Sequence, residues 1–214
     1  MARADVVRAV VVGAVVVGAA GRAAGIHYRR NMTPTLPPVS LRAAEDTDTT
    51  QMLDLNNDAV PAVNELDADS LAALVAGSHR TVVVTSDTAD ILENDILGFA
   101  VIYAAGADYA SENYRWFSAR EQSFLYVDRI VVGPAHRDVG IGALLYSAVF
   151  DAAREQGAEV VYCEVNLQPP NPRSLDFHTR LGFEEIGQQS TKNDTVVVSL
   201  LSATVAEVRS APPA

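Results

Sequence analysis

A chain of 214 residues with 49% hydrophobic content is long enough to bury one proper core, and its length points to a single domain. A formal net charge of −11 and a pI near 4.7 argue against nucleic acid or an anionic membrane as partner and favour cationic or amine ligands. The single cysteine, Cys163, rules out an intramolecular disulfide and any cysteine-built metal site, so a reducing, cytoplasmic setting fits.

Residues 1–38 differ from the rest. The first 31 carry Arg3, Arg8, Arg22, Arg29 and Arg30 against Asp5, so the remainder is more acidic than the whole. The uncharged run from Ala9 to Gly21 is too short to span a bilayer as a helix, which needs about 20 residues. The segment reads as a translated leader or disordered extension, with a secretory signal or an anchor as alternatives. It is left out of the fold, and no stable membrane association is expected.

From Thr33 to Pro38 a proline-rich entry leads to an alternating run, Val39 to Ala43, that predicts a first strand. Asp46 or Thr47 can cap a helix carrying Met52, Leu53 and Leu55. Asp69 can cap a second, Ser70 to Ala76, ended by Gly77. Strands are predicted at Arg80 to Thr85 and Ile96 to Ala104, joined by a polar connection. Gly106 to Ser123 reads as a long loop bearing Tyr109, Tyr114, Trp116 and Phe117. Phe124 to Val132 is a strand, Gly140 to Gln156 a helix with Leu145, Val149 and Ala152 on one face, and Glu159 to Asn166 a strand. Asn171 can cap a helix with Pro172 at its first position, ending at Gly182. Phe183 to Gly187 and Thr195 to Leu201 are the last strands, around a turn at Lys192-Asn193-Asp194, and the tail from 202 to 214 reads as loose. The order predicts a single-domain α/β fold, residues 39–201, with a mixed sheet flanked by helices.

Two stretches carry chemistry. After the apolar strand ending at Gly133-Pro134, Arg137-x-x-Gly140-x-Gly142 leads into a helix. Unpaired N–H groups at a helix start, glycines that admit close approach and an arginine together suit a pyrophosphate. Some thirty residues on, Asn171-x-x-Ser174-x-x-Phe177-His178-x-x-Leu181-Gly182-Phe183 follows the next strand. On a helix, Asn171, Ser174 and His178 fall within about 60° of one another, beside an apolar stripe of Phe177 and Leu181.

Together, and in this register, the two stretches resemble the GNAT superfamily of coenzyme A-dependent N-acyltransferases over roughly Val39 to Leu201. The resemblance implies a mostly antiparallel sheet flanked by helices. It implies an N-acetyltransferase that uses acetyl-CoA as donor, with no metal, and moves the acetyl group directly to an amine. Arg137, Asp138, Val139, Gly140, Ile141, Gly142 and Ala143 are then the coenzyme loop. Backbone N–H groups near Ile130, Val131 and Val132 polarise the thioester carbonyl, and Asn171, Ser174 and Phe177 flank the coenzyme. Asn56, Asn57, Tyr114, Trp116 and Phe117 become the acceptor wall; the aromatics alternatively form a lid, a homodimer contact or plain packing. The acceptor is a small amine or a protein amine. A GNAT-fold module that binds acyl-CoA without catalysis is the competing function.

The pattern departs at His178, where many members of that family carry the tyrosine that protonates the leaving thiolate. Histidine, with an ordinary pKa near 6.5, reads as working acid, as coenzyme hydrogen-bond partner or as bystander. Asp128 and Glu164, inside strands beside the cleft, are the candidate bases, against a salt bridge of Asp128 with Arg129 and a structural bond for Glu164. Cys163 reads as core rather than nucleophile.

Overall fold

The computed structural model describes residues 38–88 and 95–205. The N-terminal extension expected over residues 1–38, all but its last residue, lies outside them, as do most of the connection before Ile96 and the part of the tail beyond 205. Short runs bounded by turns, apolar in the middle of the sheet and polar at the β6 edge, build one seven-stranded sheet: β1 Val39–Ala43, β2 Arg80–Ser86, β3 Ile96–Ala104, β4 Phe124–Val132, β5 Val160–Gln168, β6 Glu184–Thr191 and β7 Val196–Thr204. The order across it is β1-β2-β3-β4-β5-β7-β6, antiparallel except for the β4–β5 pair. β2 and β3 are buried along almost their whole length, as strands covered on both faces must be.

Two helices cover one face. α4, Ile141–Gln156, lays Ile141, Leu145, Val149 and Ala152 on the sheet and ends at Gly157 in a left-handed conformation. α5, Pro172–Arg180, is capped by Asn171, whose side chain accepts from the Ser174 N–H. The other face is covered by α1 Thr49–Asp58, α2 Ala68–Gly77 and α3 Glu112–Ser118, which contribute Met52, Leu71, Tyr114 and Phe117 to a core with Phe99, Val101, Tyr103 and Tyr126.

Four expectations shift. The stretch from Gly106 to Ser123 is not a plain loop: Ser111 caps α3, which buries Tyr114 and Phe117 three residues apart. Seven residues are too few for periodicity to announce. The second helix starts earlier, capped by Asp67 rather than Asp69. The 3-10 turn Asp46–Asp48, opened by Glu45, precedes α1. The chain past Ser202 is not loose at once, since β7 runs to Thr204 and buries Ala203, with Val205 buried after it and bonded to Glu159.

Candidate active site

The site begins as a gap in the sheet. β4 and β5 pair only at Phe124–Val160, Leu125–Val161 and Tyr126–Tyr162. Beyond that, β4 stays with β3 out to Val132 and β5 stays with β7 out to Gln168, so the two parallel strands part company. Gly133 N–H donates to Leu97 O at 2.9 Å and Val131 stands opposite Phe99. By strand alternation the N–H groups of Ile130 and Val132 therefore point into the gap, while that of Val131 is committed to β3.

A cleft of about 910 Å³ runs through this gap from one face of the sheet to the other. On the α4–α5 face it is lined by Arg137, Asp138, Gly140, Gly142, Ala143, Asn171, Ser174, Phe177 and His178. Gly140 sits at φ +100°, a left-handed conformation that opens α4 and leaves its first N–H groups facing outward. A methyl group on Gly142 would lie 2.9 Å from Phe177 Cζ, so glycine there lets α5 press against the start of α4. With Arg137 and Arg173 also on the wall, this end suits a pyrophosphate. Val139 and Ile141 face the core instead.

On the opposite face, a β-bulge decides which side chains meet. Val127 stands opposite Ile102 and Arg129 opposite Val101, leaving Asp128 as the extra residue. The bulge resets the alternation, so Tyr126, Asp128 and Arg129 converge on one side. Arg129, 7% exposed, donates from Nε to Asp128 at 2.8 Å, from Nη1 to Asn56 Oδ1 at 2.7 Å and from Nη2 to Asn64 Oδ1 at 3.1 Å. The Tyr109 hydroxyl donates to the other Asp128 oxygen. Both oxygens of Asp128 are thus taken.

Glu164 is placed differently. It accepts from the Tyr126 hydroxyl at 2.9 Å through Oε1, while Oε2 is buried with no hydrogen-bond partner. Burial pushes its carboxyl up to about 8, Asp128's charge adds to the rise, and the Tyr126 hydrogen bond, the nearby Asn113 amide and the Arg129 charge only partly oppose it. A buried carboxyl that gains and loses a proton near neutrality, with one oxygen unspoken for, is equipped to accept a proton.

His178 is buried rather than presented as a free acid. Its Nδ1 lies 2.7 Å from Ser174 O and its Nε2 2.7 Å from the Tyr146 hydroxyl on α4, and burial lowers its pKa. Cys163 is packed in the core with its pKa raised by burial, which suits its reading as core.

The acceptor-wall residues divide. Tyr114, Trp116 and Phe117 do not line the cleft: Tyr114 and Phe117 are core, and Trp116 lies under the Arg120 guanidinium and against Gly187. Asn56 and Asn57 stand behind the wall and tie down the segment after α1. Asn56 donates to Asn64 O, and Asn57 donates to Leu66 O and accepts from Leu66 N–H. Residues 58–64 of that segment line the cleft, and Asn166 on β5 donates across to Pro61 O at 3.2 Å. Sequence reading passed over Tyr126, Tyr146 and Asn64 as site residues. The two tyrosines left a signal, a polar tip within an otherwise apolar run.

Among the described residues, no group of three His, Cys, Asp or Glu side chains could hold a metal ion, and no helix is long and apolar enough to cross a membrane. The fold matches solved structures. Ard1 from Thermoplasma volcanium aligns with a TM-score of 0.62 at 15% identity, over 78% of this chain and 97% of that one. The yncA protein of Salmonella typhimurium, solved with its cofactor acetyl-CoA, aligns with a TM-score of 0.57 at 20% identity, over 82% and 98%. In sequence, a streptothricin acetyltransferase of Streptomyces lavendulae is 32% identical over 111 residues, 49% of this chain and 55% of that protein. The chain thus spans about half the length of that curated relative. Residues 49–183 match the family described as Acetyltransferase (GNAT) family, a span that takes in both the Arg137–Gly142 loop and the Asn171 helix. By that match, the chain belongs to the GNAT family of acetyltransferases.

Proposed function

We propose that the protein moves an acetyl group from acetyl-CoA directly to a primary amine, with Glu164 as the base. The observation that carries this reading is the unpartnered Glu164 Oε2, on a carboxyl raised to about 8, at the split between β4 and β5. When bound, acetyl-CoA supplies an acyl group activated as a thioester. The amine reacts as the free base, having lost its ammonium proton to solvent; Glu164 Oε2 takes one further proton from it as its nitrogen attacks, and the N–H groups of Ile130 and Val132 hold the carbonyl oxygen as it gains charge. The first turn of α4 and Arg137 hold the pyrophosphate. Asp128, its oxygens held by Tyr109 and Arg129, shapes the wall rather than moving a proton.

One feature favours a small amine over a protein acceptor: the segment after α1 lines this end of the cleft and is tied across it to Asn166. Streptothricin, named in the relative, belongs at the head of the panel. The test is acetyl-CoA-dependent release of free thiol over a panel of amines. Turnover of at least one, lost in Glu164→Gln, supports the reading. Coenzyme binding with no turnover on any amine would replace it with a non-catalytic acyl-CoA-binding module, the reading favoured by the locked, uncharged His178.

Arg137→Ala should raise the KM for acetyl-CoA roughly 3- to 10-fold with kcat unchanged, because the side chain is exposed and its contact is shared with helix N–H groups. Steady-state kinetics at varied acetyl-CoA would show it. A fall in kcat at constant KM would contradict a holding role.

A further inference from the structure

The wall on the α4–α5 face contains a hydroxyl that the reaction above leaves unused. Tyr146 is 1% exposed, yet it lines the cleft together with Gly142, Ala143, Cys163 and His178. Its neighbour's protonation follows from geometry and burial together. Ser174 O, a carbonyl, can only accept, so at 2.7 Å the Nδ1 of His178 carries a hydrogen. Burial disfavours the doubly protonated ring, so Nε2 is the acceptor and the Tyr146 hydroxyl donates to it at 2.7 Å. His178 therefore has no proton to offer the cleft. Tyr146 has one, on a C–O bond free to rotate between His178 and the gap.

The sheet separates this hydroxyl from the base. Cys163, next to Glu164 on β5, belongs to the core under α4 and α5, whereas Glu164 meets Tyr126 on the opposite face. A thioester reaching through the split between β4 and β5 would present its carbonyl carbon toward Glu164 and its sulfur toward Tyr146.

We propose that Tyr146 is a catalytic residue, turning its hydroxyl from His178 to donate a hydrogen bond to the coenzyme sulfur as that atom gains negative charge. The proposal rests on the acetyl-transfer reading above. As the N–C bond forms and the C–S bond breaks, the bonding pair stays on sulfur and the amine proton goes to Glu164. Tyr146 keeps its own proton. Burial holds its pKa far above the ordinary value, which makes it a durable neutral donor and a poor acid. The thiolate takes a proton from solvent on release. Histidine at position 178 is thereby explained as the acceptor that holds the tyrosine proton between turnovers.

A donor aimed at the sulfur stabilises a thiolate, so it must lower the pKa of bound coenzyme A. The test titrates the thiol of coenzyme A bound to the full chain by its ultraviolet thiolate absorbance, with protein alone subtracted. In the unmodified protein the bound thiol should titrate at least about one unit below free coenzyme A, a tenfold effect of the size expected for a hydrogen bond to a charged group. In Tyr146→Phe it should return toward the free value, with kcat falling roughly 10- to 100-fold and the KM for acetyl-CoA within about twofold. A bound thiol that titrates like the free coenzyme overturns the proposal without any variant. So does a Tyr146→Phe protein whose turnover falls while the bound thiol is unmoved, since that loss would be one of packing. Absence of a thermal shift with coenzyme A would instead overturn the acetyl-transfer reading itself.

Discussion

Replacing Glu164 with glutamine is expected to remove most turnover and yet make the protein harder to unfold at alkaline pH. The two effects share one cause, a carboxyl buried at the split with Oε2 unpartnered and its pKa raised to about 8. For catalysis, the base must be ionised, so kcat/KM in the unmodified protein should climb about tenfold per pH unit below 8 and level off above it. Glu164→Gln should cost roughly 100- to 10,000-fold in kcat and flatten that limb. For stability the sign runs the other way. The folded carboxyl holds its proton up to about 8 while the unfolded one releases it near 4.5, so stability falls as pH rises across that interval. Glutamine carries no such charge. Its advantage should be absent below pH 4.5, grow between 4.5 and 8, and reach on the order of 2–4 kcal/mol above it, a Tm gain of roughly 5–10 °C. Calorimetric scans at pH 5 and pH 9 read this directly. Equal Tm changes at both would mean that Glu164 is not charged in a buried site. A surviving pH limb in the glutamine variant would assign the base elsewhere.

The parts of this site legible in sequence are those whose constraint lies within a few neighbouring residues. Gly140 must take a left-handed conformation and Gly142 must leave room for Phe177, and both requirements show as glycines at fixed offsets from Arg137. Asn171 caps its own helix three residues on, so it too announces itself. What stayed hidden depends on partners far along the chain. His178 reads as an exposed member of a polar stripe until Tyr146, 32 residues earlier on another helix, is found bonded to it. The salt bridge of Asp128 with Arg129 could be weighed from adjacency, but not the bulge that brings both to one side or the reach of Arg129 to Asn56 and Asn64. Tyr114 and Phe117 looked like a lid because aromatic residues in a polar stretch suit either a binding loop or a short buried helix. Composition cannot separate the two; the Ser111 cap could have.

Arg129→Met is expected to cause the largest loss of stability of any substitution at the acceptor end. The guanidinium and Asp128 are an ion pair with side chains 5% and 6% exposed, and two further donations hold Asn56 and Asn64. Removing the cation leaves a buried carboxylate with only Tyr109 and strands two asparagine oxygens, which should cost about 3–5 kcal/mol and lower Tm by roughly 8–15 °C. Methionine of similar length refills the space, so a cavity is not the cause. Adding Asp128→Asn should then recover part of the lost Tm, because it removes the uncompensated charge. With Arg129 intact, Asp128→Asn alone should destabilise, because it leaves the guanidinium without its counter-charge. The network also holds the segment after α1 against the cleft, through Asn56 to Asn64 and Asn57 to Leu66. Loosening it should therefore raise the KM for the amine while that for acetyl-CoA, proposed to bind at the α4–α5 face, stays the same. A Tm loss below about 2 °C would show that the pair adds little to the folded state, as well-packed apolar replacements of buried ion pairs often reveal. Equal increases in both KM values would place Arg129 in the general scaffold and free the acceptor wall from its control.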